Sequence, residues 1–335
     1  MEYKECKICL NNTNNPTISI NNDGLCRICE LYQKNFDPEK LKQELEFLKS
    51  FKKVGERYDV MVGLSGGKDS TAMLKTILDM GLKPLAFTFD IGYYPEHIIG
   101  RAKKVAEKLG VDHEVIDIRK YITEEDKESY KKTAELYDKQ FSPELKKEFL
   151  KNYIEGKKHY SVKSTGTHAF VRTCRLCRHA VIKAYYEEAK KRGVGAIILG
   201  INEWAGLSQT KDSGKFEISG VRKLQPNKND SPVYVFHLPF ILRRTIDDIK
   251  EILKPLGWEV PEGEELIETN SNSCLLARAA ETKAKEMLGF HPDSTRLSRE
   301  VTVGFLTKKQ VAKALSEKHV SELSVEQILK KADII

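Results

Sequence analysis

Seven cysteines fall as Cys6-x2-Cys9, Cys26-x2-Cys29, Cys174-x2-Cys177 and a lone Cys274. The number is odd and the N-terminal stretch MEYKECKICLNN has no apolar signal core, so the pattern reads as metal or redox chemistry before disulfides. The first four form a CxxC-x16-CxxC array, and four thiolates at this spacing suit tetrahedral zinc. A structural site is the favoured reading, because segment 1–32 is too polar to bury a core and metal binding would supply one. Cys174 and Cys177 stand at the start of a helix beside Arg172, Arg175 and Arg178, where helix dipole and charge favour thiolate. Cys274 precedes another apparent helix. A CxxC pair plus one cysteine can hold three corners of a [4Fe–4S] cluster and leave one iron open for a ligand such as hydrosulfide. The same thiols would also serve a persulfide or disulfide mechanism or a second zinc half-site, and Cys274 on its own could be a small buried hydrophobe.

A second constellation is Leu64-Ser65-Gly66-Gly67-Lys68-Asp69-Ser70, placed directly between an apolar strand and a helix. Two adjacent glycines let several N–H groups converge on an anion at the helix N-terminus, and Lys68 adds a full positive charge. It is not the nucleoside-triphosphate loop G-x4-G-K-[ST]: Gly63 is one residue too close to Lys68, and Asp69 replaces the magnesium-binding Ser or Thr.

SGGKDS resembles the pyrophosphate loop of the ATP pyrophosphatase superfamily, also called the PP-loop or adenine nucleotide alpha hydrolase superfamily. The resemblance covers roughly residues 58–275. It implies ATP as a substrate, with AMP transferred to an acceptor oxygen and pyrophosphate released. Carried over by position, Ser65, Gly66, Gly67, Lys68, Asp69 and Ser70 would bind phosphates, with Asp69 a contact for Mg2+. Phe87, Thr88 and Phe89 would sit beside the adenine, and Gly200 would close the nucleotide site.

Two families within that superfamily claim different parts of the chain. CRLCR running into a helix and then a strand ending in Leu-Gly, with a third cysteine far downstream, resembles the iron–sulfur tRNA thiolation enzymes, the 2-thiocytidine and 2-thiouridine synthetases. That likeness implies adenylation of a tRNA pyrimidine carbonyl and displacement of AMP by sulfur, with Cys174, Cys177 and Cys274 catalytic together with Asp69. The segment CKICLNNTNNPTISINNDGLCRIC is similar to the amino-terminal motif of N-acetyl sugar amidotransferases, which take ammonia from a glutaminase partner. Asn202-Glu203-Trp204, where the thiolation enzymes often carry an acidic pair, is closer to the amidotransferase pattern, as loosely are Arg296, Arg299 and Glu300. Sulfur transfer is the expected function, since ammonia transfer gives no role to three thiols near the site. The amidotransferase reaction is the alternative, and a non-catalytic nucleotide or redox sensor is a third reading of another class.

The elements that must position these residues follow from periodicity. YDVMVGLS, KPLAFTFD, HEVIDI, AIILG and VYVFHLPF read as strands; STAMLKTILDMG, HIIGRAKKVAEKLG and RHAVIKAYYEEAKKRG read as helices. Leu41, Leu45, Leu48 and Phe51 mark one face of an earlier helix. Alternating strands and helices predict an α/β fold, a Rossmann-like parallel sheet flanked by helices, with a small zinc knuckle in front and a helical region behind. The expected units are a knuckle over 1–32, a linker helix over 33–56, an ATP-binding catalytic domain over 57–260 with a mostly helical insertion about 121–165, and a C-terminal helical region over 261–335. The stretch 207–233, rich in Gly, Ser, Lys, Asn and Pro, reads as a mobile loop.

The chain has 335 residues, 40% of them apolar, enough for a large core, with no apolar run long enough for a membrane helix. A cytoplasmic protein without membrane partners is expected. The net charge of +7 is local: residues 151–192 hold eleven Lys/Arg against three Asp/Glu, a balance of +8. Such a field around the thiols would attract the phosphates of tRNA, or is simply a solvated helix face. The sulfur donor is left open, and a homodimer is allowed. His168 and His179 flank the CxxC without metal spacing and receive no role.

Overall fold

A computed structural model of the protein describes residues 2–158, 167–209, 216–260 and 266–335. Eight strands are present among them: β1 (Val60–Gly63), β2 (Pro84–Asp90), β3 (His113–Asp117), β4 (Ala196–Leu199), β5 (Gly206–Gln209), β6 (Phe216–Ser219), β7 (Val221–Leu224) and β8 (Val233–His237). Six of them form one sheet in the order β3-β2-β1-β4-β8-β7. Every neighbouring pair is parallel except β7 with β8. The central strands are buried on both faces, as continuous apolar runs such as VMV and AIIL require. Alternation along each strand divides the core in two. Met61, Leu85, Phe87 and Ile197 belong to the cluster on one face; Val60, Val62, Ala86 and Ile198 belong to the other.

Helices cover both faces. In chain order they are α1 (Arg27–Asn35), α2 (Pro38–Lys49), α3 (Lys68–Asp79), α4 (Glu96–Leu109), α5 (Glu124–Asp138), α6 (Pro143–Lys158), α7 (Arg178–Lys191), α8 (Leu238–Ile241), α9 (Ile246–Leu253), α10 (Asn270–Ser273), α11 (Leu275–Leu288), α12 (Ser294–Thr302), α13 (Lys308–Ser316) and α14 (Val325–Lys331). The sheet, the flanking helices and the helical C-terminal stretch are as expected. Gly110 ends α4 in the left-handed conformation, and α2 buries Leu41 and Leu48 on its inner face.

The structure differs from the sequence reading in three places. The stretch 207–233 is not a plain loop: β5 and β6 pair antiparallel, and β7 closes the sheet edge on β8. Short polar strands with one face outward lack the apolar run that betrays a buried strand. Cys26 is the N-cap of α1 and Cys29 lies in its first turn, so the second CxxC of the knuckle is carried on a helix that runs on to Asn35. The knuckle does not stand alone. Its four cysteines join the same apolar cluster as Leu297 and Val301 of α12, and Asn15 Nδ2 donates to Tyr153 Oη on α6 at 2.9 Å. The insertion is helical through α5 and α6, while its end at 159–165 and the expected boundary after residue 260 touch residues outside those described.

Candidate active site

The loop between β1 and α3 is shaped by backbone demands. Gly66 has φ +73°, and a Cβ there would lie 2.5 Å from Arg101 Cβ, so only glycine fits. Ser70 Oγ accepts from Ser65 N at 3.1 Å and donates to the Gly67 carbonyl at 3.2 Å, closing the loop on the first turn of α3. Gly67 is the N-cap, so the first amides of α3 have no partner within the helix. Gly200, just past β4, packs directly on this turn: a Cβ would meet the Asp69 carbonyl carbon at 2.8 Å and Ser70 N at 2.9 Å.

A cavity of about 380 Å3 opens above the loop, at the carboxyl ends of β1, β2 and β4. Ser65, Gly67, Lys68, Asp69, Ser70, Phe87, Thr88, Phe89 and Gly200 all line it, so nine of the ten residues expected at a nucleotide site converge there. Gly66 is the exception; its carbonyl accepts from Trp258 Nε1 at 3.0 Å. The rings of Phe87 and Phe89 lie 4.7 Å apart, tilted at 47°, and Phe89 lies 5.1 Å from Tyr185 on α7, giving an aromatic wall. Thr88 is less free than the sequence suggests, since its hydroxyl binds the Leu64 carbonyl and lies 2.8 Å from His113 Nε2. Burial lowers the pKa of His113. Tyr94, Tyr185, Trp258 and Glu268 also line the cavity and were not legible in the sequence, because none belongs to a local motif.

At the loop, Lys68 Nζ and Asp69 Oδ2 are 2.6 Å apart. Burial works against the ammonium of Lys68, but Asp69 outweighs it and raises the pKa. The other oxygen, Asp69 Oδ1, is buried without a hydrogen-bond partner. An orphaned carboxylate oxygen at the mouth of a phosphate loop fits a hard divalent cation such as Mg2+.

A second cavity, about 320 Å3, continues from the first and shares Lys68, Asp69, Gly200, Glu268 and Ser273 with it. Its far wall is polar: Asn202, Glu203, Asn270, Arg296 and Glu300. Arg296 Nη1 donates to Glu300 at 2.8 Å, and Arg299 pairs with Glu203. Burial pushes both carboxyl groups up, Glu203 mainly by desolvation and Glu300 by desolvation with Asp69 adding to it. Residues 202–203 and 296–300, distant in sequence, thus form one acidic and basic wall beside the loop.

The three downstream cysteines gather beyond the first cavity. Cys177 is the N-cap of α7 and Cys274 the N-cap of α11, where its sulfur accepts from Ala277 N at 3.5 Å. Tyr93 joins them, its carbonyl accepting from Leu275 N at 3.2 Å and its hydroxyl bonding toward Cys177. Burial, with the neighbouring Cys174, pushes Cys177 up to about 11, and burial pushes Cys274 up to about 12. The thiolate character expected at Cys177 from its arginine neighbours is therefore reversed by desolvation. A cation bound at these sulfurs would restore it; the three thiols are half-buried and, unlike the knuckle sulfurs, are not drawn within 4.8 Å of one another, and with no fourth cysteine beside them they would supply the donors for a cluster with one open corner. His179 instead pairs with Asp126 at 2.6 Å, a buried structural contact.

At the knuckle, the sulfurs of Cys6, Cys9, Cys26 and Cys29 all lie within 4.8 Å of one another and are buried. Among the described residues this is the one group of three or more such ligands so closely gathered. The Cys29 and Cys9 thiols hold Cys26 down to about 2, while Cys9 is pushed up to about 12 and Cys29 further still. Asn11 Nδ2 and Cys26 N also donate to the sulfurs of Cys26 and Cys6, both at 3.3 Å. Four crowded, buried sulfurs, two of them taking N–H bonds, could hold a tetrahedral metal ion.

Comparison with known proteins agrees with the loop. The family profile described as "Queuosine biosynthesis protein QueC" matches residues 59–164. The uncharacterized protein MJ1599 of Methanocaldococcus jannaschii is 24% identical over 331 residues, 97% of each chain. Shorter matches are to 7-cyano-7-deazaguanine synthase of Psychromonas ingrahamii, 48% identical over 59 residues, 18% of this chain and 27% of that protein. A third is to the tRNA-specific 2-thiouridylase MnmA of Treponema denticola, 43% identical over 67 residues, 18% of each. These matches point together to the PP-loop adenine nucleotide alpha hydrolase superfamily. Among the described residues no helix is long and apolar enough to cross a membrane.

Proposed function

We propose that this PP-loop chain is an ATP-dependent adenylating transferase that passes sulfur to a tRNA base. ATP-dependent adenylation rests on the loop, the cavity above it and the superfamily matches. Phosphates are gripped by the amides at the start of α3 and by Lys68, while the orphaned oxygen of Asp69 would hold Mg2+. The aromatic wall of Phe87, Phe89 and Tyr185 holds the adenine. With the β- and γ-phosphates held, the α-phosphorus is left open to an acceptor oxygen entering from the second cavity. That oxygen forms a P–O bond, the α–β P–O bond breaks, and pyrophosphate leaves. Attack on the activated carbon by a sulfide-level donor then forms C–S and breaks C–O, so the oxygen departs with AMP.

The observation that carries sulfur over other nucleophiles is the position of the thiols. Tyr94 and Tyr185, which line the nucleotide cavity, lie within electrostatic reach of Cys177, and Ser273, next to Cys274, lines both cavities. A [4Fe–4S] cluster on Cys174, Cys177 and Cys274 would supply an open iron to carry the sulfur. The domain roles follow: 57–260 for ATP, with zinc on Cys6, Cys9, Cys26 and Cys29 holding the knuckle. The test is nucleoside mass spectrometry of tRNA from a deletion strain, in which a thionucleoside should be missing; unchanged tRNA overturns sulfur transfer.

One observation favours the amidotransferase alternative. Asn202, Glu203, Arg296 and Glu300, the residues that resemble that family, converge in the second cavity, with Arg299 paired to Glu203 behind them. Altered surface glycans with unchanged tRNA in the same strain would select it.

A further inference from the structure

A third cavity, about 420 Å3, lies between the knuckle and the segment carrying Cys174. Three separate stretches send arginines into its wall: Arg27 from α1, Arg172, Arg175 and Arg178 from around the CxxC, and Arg299 from α12. None of the described residues lining it is a carboxylate; the thiols of Cys26 and Cys174 share the wall with neutral groups, among them Asn11, Thr17, Ser19 and Thr295. Asp293, 3.8 Å from Arg172, and Glu203, paired with Arg299, lie outside that lining, and the Cys174 side chain bonds toward Arg172. Arg172 Nε is buried without a hydrogen-bond partner. Gathering five guanidinium groups in a partly dry cavity costs free energy through mutual repulsion and lost hydration. An oxyanion reverses that cost, because the planar forks of arginine bind its oxygens in pairs. Five forks exceed what the two oxygens of one carboxylate can accept, which favours phosphate.

We propose that this cavity binds a phosphate ester of the acceptor, using the knuckle as one wall and holding the acceptor beside Cys174. The assignment to the acceptor rests on the transfer reaction proposed above; the anion site does not. It also gives the four-cysteine knuckle a task in substrate binding, since Arg27 stands between Cys26 and Cys29 and is placed by whatever those thiols hold.

The test uses the holoprotein with its nucleotide loop filled by a non-hydrolysable ATP analogue, so that added phosphate is scored away from Lys68. Equilibrium dialysis with radiolabelled inorganic phosphate, at ionic strength matched with potassium chloride, should give one phosphate bound per chain. Arg27→Gln and Arg175→Gln should each weaken it about tenfold, as expected for losing a charge-assisted pair worth roughly 1.4 kcal/mol or more, and Arg175→Lys should recover part. The affinity for the ATP analogue reports that the variants are folded. No phosphate bound above the chloride control, or equal binding by the glutamine variants, overturns the site. Two competitors then separate the sources. Displacement of phosphate by unmodified tRNA assigns an RNA phosphodiester, and displacement by a nucleoside diphosphate sugar assigns a sugar nucleotide. Displacement by neither overturns the acceptor assignment. Phosphate binding that persists while tRNA from the deletion strain is unchanged overturns sulfur transfer and leaves the site standing.

Discussion

Lys68 and Asp69 are adjacent residues with different tasks, and the difference is physical. The ammonium of Lys68 is held charged by Asp69 at 2.6 Å in a buried position, so it is fixed in place before the nucleotide arrives. Asp69 keeps one oxygen for that pair and one without a partner. A preorganised cation aimed where charge accumulates on the leaving pyrophosphate is worth more than one that must reorganise. Lys68→Ala is therefore expected to lower the rate of pyrophosphate release by about 10²–10³-fold, with ATP affinity falling less. A coupled pyrophosphate assay beside nucleotide titration checks it; an equal loss in both would mean that Lys68 serves ground-state binding alone. The loop was legible in the sequence because its chemistry is local, six consecutive residues between a strand and a helix. Glu268, Tyr94 and Trp258 were not, since each reaches the cavity from a segment with no motif of its own.

At the scale of elements, two attachments hold the site together. The knuckle is tied to the C-terminal helices: Cys29 Sγ lies 3.1 Å from Thr302 Oγ1 on α12, and Lys308 Nζ donates to the Cys6 carbonyl at 2.6 Å. Removing the metal should loosen α12, and with it Arg296, Arg299 and Glu300. Chelation is expected to lower the melting temperature and weaken acceptor-dependent AMP formation while leaving ATP binding nearly intact; re-addition of zinc should restore both. An unchanged melting temperature in metal-free protein would remove the knuckle from the fold. The second attachment is Glu188 on α7, buried and bonded to Lys120 at 2.6 Å, Tyr121 at 2.7 Å and Arg192 at 2.6 Å. Burial opposes its charge, but these partners hold its pKa down to about 2. A depressed carboxylate stabilises the fold above its unfolded value, near 4.5, and that contribution disappears as pH falls toward 2. Glu188→Gln should cost about 1–3 kcal/mol at neutral pH and flatten the acid limb of a stability-versus-pH curve. A limb of unchanged slope would show that other carboxylates govern acid unfolding. The sequence marked α7 as a helix leading to β4, but its long-range partners at 120 and 121 depend on tertiary packing.

Across the whole molecule, the three cavities form a sequence of tasks from loop to knuckle. The first shares Lys68, Asp69 and Gly200 with the second, and the third meets the second through the Arg299–Glu203 pair. The cysteine spacing announced two groups of four and three, and the fold brings one member of each, Cys26 and Cys174, to the wall of the third cavity. What spacing alone did not carry is that Cys174 lines the arginine cavity, whereas Cys177 and Cys274 lie within electrostatic reach of Tyr93 and of Tyr94, which lines the first cavity. This division separates activation from transfer. In the reaction proposed above, activation needs the loop and the acceptor oxygen, and transfer needs the thiols. Cys274→Ala, in protein prepared without oxygen, is therefore expected to retain acceptor-dependent conversion of ATP to AMP and pyrophosphate within a few fold, while thionucleoside formation on tRNA falls below detection. Water then takes the place of sulfur, returning the acceptor unchanged with each AMP released. Iron content and visible absorbance, measured on the same sample, should fall with the loss of transfer. Retained thiolation in a Cys274→Ala protein lacking iron would sink the role given to these thiols, and release of ADP in place of AMP would sink the activation step itself.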